Sequence, residues 1–185
     1  LGIVFGATTE IGDNCTIFPF VSILNGTKMG KDNKVHQGTV IGAFPQDFEF
    51  QGERSEVIIG DNNTIRENVI INRATHEGGK TVIGNGNFLM ESVHISHDTV
   101  VGDFNVFGYG TKIAGNCEIG NGAIFSSSVI ENAGTRVGDL AMLQAGTRFS
   151  NDVPPYAIAG GNPIAYTGPN NTLMETWHID EKVRK

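Results

Sequence analysis

Long apolar runs are missing from this chain. No stretch approaches the roughly 20 consecutive apolar residues that span a bilayer, so no integral membrane segment is expected. Cysteine is scarce: only Cys15 and Cys117 occur, at equivalent places in the hexads IGDNCT and IAGNCE. That placement suits reduced packing residues and not a disulfide framework. Basic clusters are also lacking. Net charge is −7 and the pI is near 5.1, with Lys and Arg scattered. Nucleic acid is therefore not an expected partner, because phosphate contacts need grouped cations. No signal-peptide pattern opens the chain, which starts at Leu1 and leaves room for a short lost leader; the cytoplasm is the expected compartment.

What the chain does have is a period of six. From residue 83 the positions Ile83, Leu89, Ile95, Val101, Phe107, Ile113, Ile119, Phe125, Glu131, Val137, Leu143 and Phe149 are all apolar except Glu131. The same phase runs through Ile11, Ile17, Ile23, Met29, Val35 and Ile41, and through Ile59, Ile65 and Ile71. Helices and ordinary strands do not repeat every six residues. A short strand plus a tight corner does, provided the chain coils and stacks on itself. Glycine is abundant (25 residues) and often follows the apolar position, with Asn or Asp a few residues on. Those types accept the backbone a corner demands. Three hexads close a triangular coil, and stacked coils bury the apolar position along the axis.

The pattern breaks twice. Residues 47–58 carry Asp47 and Glu53 where apolar residues belong, and residues 72–82 are rich in glycine and charge. Loops near 43–58 and 72–82 are expected to project from the coil and to build a binding face. The repeat domain spans 1–155 and ends at Pro154-Pro155, which removes two donors and stops the ladder. A tail over 156–185 follows, with a short amphipathic helix within 171–183 packing on the coil flank or on another subunit.

The hexads resemble the hexapeptide-repeat transferases. A closer resemblance rests on Ile41-Gly-Ala-Phe-Pro-Gln-Asp47, Ile59-Gly-Asp-Asn-Asn-Thr-Ile-Arg-Glu67, Ile71-Asn-Arg-Ala-Thr75, Leu89-Met90, His94-Ile-Ser-His97-Asp98, Ile113-Ala-Gly115 and Asp152-Val-Pro-Pro-Tyr156. In that order these motifs are similar to the UDP-N-acetylglucosamine O-acyltransferases of lipid A biosynthesis. The resemblance implies an all-β fold, a left-handed parallel β-helix with a short C-terminal helical tail. It also implies a homotrimer with sites between subunits, no cofactor, and two substrates. In that family acyl carrier protein delivers a 3-hydroxyacyl group to the 3-position of a nucleotide sugar, and the same is expected here.

Such a transfer needs a base, an oxyanion donor and two substrates held in line. His97-Asp98 supplies a base and its partner, since neutral imidazole accepts a proton at cellular pH. The resemblance assigns the oxyanion donor to the Gly115 N–H. It places His94, Asp47, Gln46, Asn116 and Asn170 with the substrates. Arg73 is a candidate for the diphosphate, and Ala145, with Gln144 beside it, for limiting acyl length. His94-x-x-His97 is a metal pair only with a third ligand, and His36, His76 and His178 offer none in phase.

Some positions depart from the family pattern. Asn116 replaces a histidine, Glu131-Asn132-Ala133 replaces Val-His-Gln, Glu49 replaces a loop lysine, and Glu175-Thr176 stand where an arginine pair is expected. Two alternatives therefore remain open: an acetyl-CoA-dependent sugar acetyltransferase of surface polysaccharide synthesis, or a non-catalytic trimeric paralogue.

Overall fold

The structure, a computed structural model, describes residues 2–184. Short strands wind into a three-sided prism, the left-handed parallel β-helix. Every third strand joins the same sheet. Sheet 1 runs from Val4–Phe5 through Val40–Ala43, Ile70–Asn72, His94–Ile95 and Lys112–Ile113 to Arg148–Phe149. Sheet 2 runs from Glu10–Ile11 to Arg136–Val137, and sheet 3 from Thr16–Ile17 to Ala157–Gly160.

Parallel registry stacks the hexad's apolar residue on its equivalent one coil away, for example Ile95 on Ile113 and Phe107 on Phe125. These side chains are fully buried and form the core. Each is worth about 1.5–3 kcal/mol relative to exposure. A second internal column is polar. Asn63 donates to the Asn33 side chain and accepts from Asn87, and Asn87 accepts from the Asn105 N–H. This amide ladder gives the buried N–H groups of Asn63, Asn87 and Asn105 their acceptors at the corner between sheets 2 and 3. The glutamate at 131 does enter the core: it is 1% exposed.

The two interruptions fall on one edge. Residues 44–55 join sheet 1 to sheet 2, and so do residues 73–79 one coil later. Both loops are shorter than the sequence suggests, because Glu56–Ile59 and Lys80–Ile83 are four-residue strands paired along their whole length. The loops also bind each other. Arg54 N–H donates to Glu77, Gly78 N–H to the Arg54 carbonyl, and the Ser55 hydroxyl to the Ala74 carbonyl.

The C-terminal end differs from expectation. Pro154-Pro155 does not stop the ladder. The N–H groups on either side, of Val153 and Tyr156, donate to Arg136 and Asp139, and Ala157–Gly160 adds one more strand to sheet 3. Ala165–Pro169 then folds back antiparallel on it. The helix, Asn171–Thr176, is a short one, with Met174 buried and Trp177 packed edge-on against Phe104 at 5.8 Å. The tail thus covers the coil flank.

Candidate active site

The corner 96–99 lies directly above the two loops, on the same edge of the prism. A tight corner needs a residue in the left-handed region, and Asp98 occupies it with φ of 57°. This turns its carboxylate back toward His97. Asp98 Oδ2 lies 2.9 Å from His97 Nδ1, 2.7 Å from the Thr75 hydroxyl and 3.0 Å from the Thr75 N–H. Burial works to raise the Asp98 pKa, but the bonds from Thr75 and His97 outweigh it and hold the carboxyl below its ordinary value. An ionised acceptor at Nδ1 places the imidazole proton there and leaves Nε2 as the free base. The His97 side chain is 10% exposed, so it is held and not waving in solvent.

Nε2 faces the first loop, where Asp47 Oδ2 lies 3.5 Å away. The other Asp47 oxygen caps the loop by accepting from the Glu49 N–H at 2.9 Å. Gly115 comes from the next coil. A Cβ there would sit 2.6 Å from Nε2 and 2.9 Å from Nδ1, so only glycine leaves space for the ring. The flanking N–H groups of Ala114 and Asn116 bond the Glu131 and His97 carbonyls, while that of Gly115 takes no part in the ladder.

His94 stands on the preceding strand with Nε2 2.6 Å from Asn72 Oδ1. Asn72 Nδ2 donates to the Phe44 carbonyl at 2.7 Å, so its Oδ1 is the acceptor and His94 Nε2 the donor. The nitrogen of His94 left for another partner is Nδ1. Burial first, then Lys112 and His97, lower its pKa and keep it neutral.

The structure thus brings His97, Asp98, Gly115, Asp47 and His94 to one edge. Gln46 is exposed beside Asp47, and Asn116 is exposed beside Gly115. Three residues go elsewhere. The Arg73 guanidinium stacks over Phe44 and Phe50, at 4.7 and 5.4 Å from the ring centroids, and ties the first loop down. Asn170 is 3% exposed and spends its side chain on the Leu140 carbonyl and the Leu173 N–H at the helix start. Ala145 lies several coils above, in the corner column of Glu91, Tyr109 and Ser127, on the opposite border of sheet 1 from His97. The sequence reading missed Thr75 and Asn72 as the residues that hold Asp98 and His94. Among the described residues no group of three His, Cys, Asp or Glu side chains is arranged for a metal ion, and no helix is long and apolar enough to cross a membrane.

The chain is similar to known proteins along nearly its whole length. Residues 8–43 match the family model described as bacterial transferase hexapeptide (six repeats). The UDP-N-acetylglucosamine acyltransferase from Bacteroides fragilis 9343 is 42% identical, with 98% of this chain and 78% of that chain covered and a TM-score of 0.91. The Francisella novicida UDP-N-acetylglucosamine acyltransferase is 33% identical over 97% of this chain and 67% of that chain, with a TM-score of 0.94. The UDP-N-acetylglucosamine O-acyltransferase from Moraxella catarrhalis RH4 is 30% identical, covering 97% and 77%, with a TM-score of 0.84. With hexapeptide coils, a corner histidine between two carboxylates, and this degree of identity along nearly its whole length, the chain is an acyltransferase of the UDP-N-acetylglucosamine acyltransferase family.

Proposed function

We propose that the protein transfers a 3-hydroxyacyl group from acyl carrier protein to the 3-position of UDP-N-acetylglucosamine or a related nucleotide sugar. The observation that carries this is the alignment of Asp98, His97 and Gly115 beside the Asp47 loop. The acceptor hydroxyl gives its proton to His97 Nε2 and attacks the thioester carbonyl. The Gly115 N–H holds the oxyanion that forms. Collapse breaks the carbon–sulfur bond, and the imidazolium returns the proton to the departing thiolate. No acyl-enzyme is needed. Asp98 fixes the tautomer and the orientation of the ring. Asp47, close to Nε2, is placed to take a second hydrogen bond from the sugar. His94 offers Nδ1 as an acceptor.

The acting form is a homotrimer, and the acyl chain lies in the groove between subunits. That arrangement reconciles Ala145 with the reaction, since within one chain it sits across sheet 1 from His97. Diphosphate binding cannot be charged to Arg73 in its present packing.

The test is direct. The protein is incubated with UDP-N-acetylglucosamine and 3-hydroxyacyl carrier protein, and separately with acetyl-CoA, alongside His97→Ala. His97-dependent acyl sugar from the carrier protein alone supports the proposal. His97-dependent product from acetyl-CoA alone favours the acetyltransferase, and absence of product in both leaves a non-catalytic paralogue.

A further inference from the structure

One buried carboxyl has no counter-ion. Glu131 stands in the inward column of sheet 1, between Ile113 and Phe149, where every hexad rule calls for an apolar side chain. Its Oε1 accepts from the Thr135 hydroxyl at 2.9 Å, and its Oε2 has no partner. The titratable groups that face it are the Cys117 thiol, from the turn below, and Asp152, from the turn above. Among the described residues no Lys or Arg contributes. A side chain with these properties is costly inside a prism of Ile, Phe and Val.

Its surroundings give it a use. The Cys117 sulfur lies 3.3 Å from the Asn132 carbonyl, 3.7 Å from the Gly115 carbonyl and 3.8 Å from the Thr135 hydroxyl. The Thr135 hydroxyl is 2.8 Å from the Asn132 carbonyl. Glu131 also accepts the Ala114 N–H on its own carbonyl, and Gly134 donates to the carbonyl of Gly115. Carboxyl, hydroxyl and thiol therefore form one polar cluster on the inner wall of two stacked turns. The outer wall of the lower turn carries Gly115 against the His97 ring.

We propose that Glu131 is a positioning residue that, through Thr135 and Cys117, sets the turn carrying Gly115 and so the direction of its N–H, an inference that rests on Gly115 being the oxyanion donor proposed above. Burial pushes the Glu131 carboxyl up to about 8. The acid form therefore prevails at neutral pH. Above that value ionisation puts an unpaired charge behind Gly115, and the turn must rearrange to solvate it.

The experiment compares wild type, Glu131→Gln and Glu131→Val as full chains, with His97→Ala as a control. Two readouts are taken between pH 6 and 9.5: the Gly115 amide resonance, and kcat and KM with UDP-N-acetylglucosamine and 3-hydroxyacyl carrier protein. The Gly115 amide is expected to titrate with a midpoint near 8 in wild type and to stay flat in Glu131→Gln. Glu131→Val, which restores the hexad, should lose about tenfold in kcat at pH 7 with KM for the sugar unchanged. Glu131→Gln should keep kcat at pH 7 and lose the alkaline decline. A Gly115 amide that ignores pH in wild type, or a Glu131→Val protein with wild-type kcat throughout, overturns the proposal. Undiminished turnover by His97→Ala overturns the proposed chemistry instead, and the amide titration then judges Glu131 alone.

Discussion

The imidazole of His97 lies against the backbone of Gly115, so closely that a Cβ at 115 would fall 2.6 Å from Nε2. Space, and not backbone torsion, demands glycine there. Gly115→Ala is expected to tilt the ring off the oxyanion donor and to cut kcat by about 10²–10³-fold. Circular dichroism and melting temperature should stay near wild type, which separates a displaced base from an unfolded coil.

Asp98 reads out on the tautomer of His97. Asp98→Asn presents an amide whose orientation is contested by the Thr75 hydroxyl and N–H, both donors. Loss of at least about 100-fold in kcat is expected, with KM for the nucleotide sugar little altered. Thr75→Val removes one of the bonds to Asp98 and should cost about tenfold. A Thr75→Val enzyme as slow as Asp98→Asn would mean that Thr75 meets substrate itself.

Little of this second layer was legible in the sequence. The hexad phase places Ile95 on Ile113 without ambiguity, because equivalent residues recur every coil. The second insertion separates Asn72 from His94 and carries Thr75 itself, so the spacings of these residues from His94 and Asp98 depart from the repeat. Partners across an insertion cannot be found by counting. Arg73 and Asn170 were legible as polar residues in promising places, but both are spent on packing the fold: on two phenylalanines of the first loop in one case, on the Leu140 carbonyl and a helix start in the other. Pro154-Pro155 signals a stop because its own donors are missing, but the donors on either side carry the chain onward.

Glu131 should make stability fall as pH rises. Its ordinary carboxyl value of 4.5 is raised to about 8 in the fold. Below the lower value both states hold the proton, and the group contributes no pH dependence. Between the two, the unfolded chain releases the proton while the folded one keeps it, so stability drops, by on the order of 3–5 kcal/mol at the upper end. Chemical denaturation across pH 4.5–8.5 should show this loss in wild type. Glu131→Gln should remove it, matching wild type at the acid end and exceeding it at the alkaline end.

The asparagine ladder is a separate structural commitment. Asn63→Ala strips the acceptor from the Asn87 N–H and the donor from the Gly84 carbonyl, both in the interior. A loss of about 2–4 kcal/mol is expected from denaturant titration, with activity per folded molecule unchanged.

Ala145 and Gln144 should restrict the acyl groove. A ladder of acyl carrier protein thioesters is expected to show preference for chains shorter than about 14 carbons, since each buried methylene contributes about 0.8 kcal/mol only where it fits. Ala145→Gly should extend the accepted length. An unaltered length preference in that variant would remove Ala145 from the groove.

The central claim is that His97 is the base of an acyl transfer from carrier protein to a nucleotide sugar. Single-turnover assay of wild type and His97→Ala with UDP-N-acetylglucosamine and 3-hydroxyacyl carrier protein tests it most directly. Acylated sugar nucleotide from wild type, reduced by about 10²–10⁴-fold in His97→Ala, is the predicted result. Equal product from both proteins would contradict it.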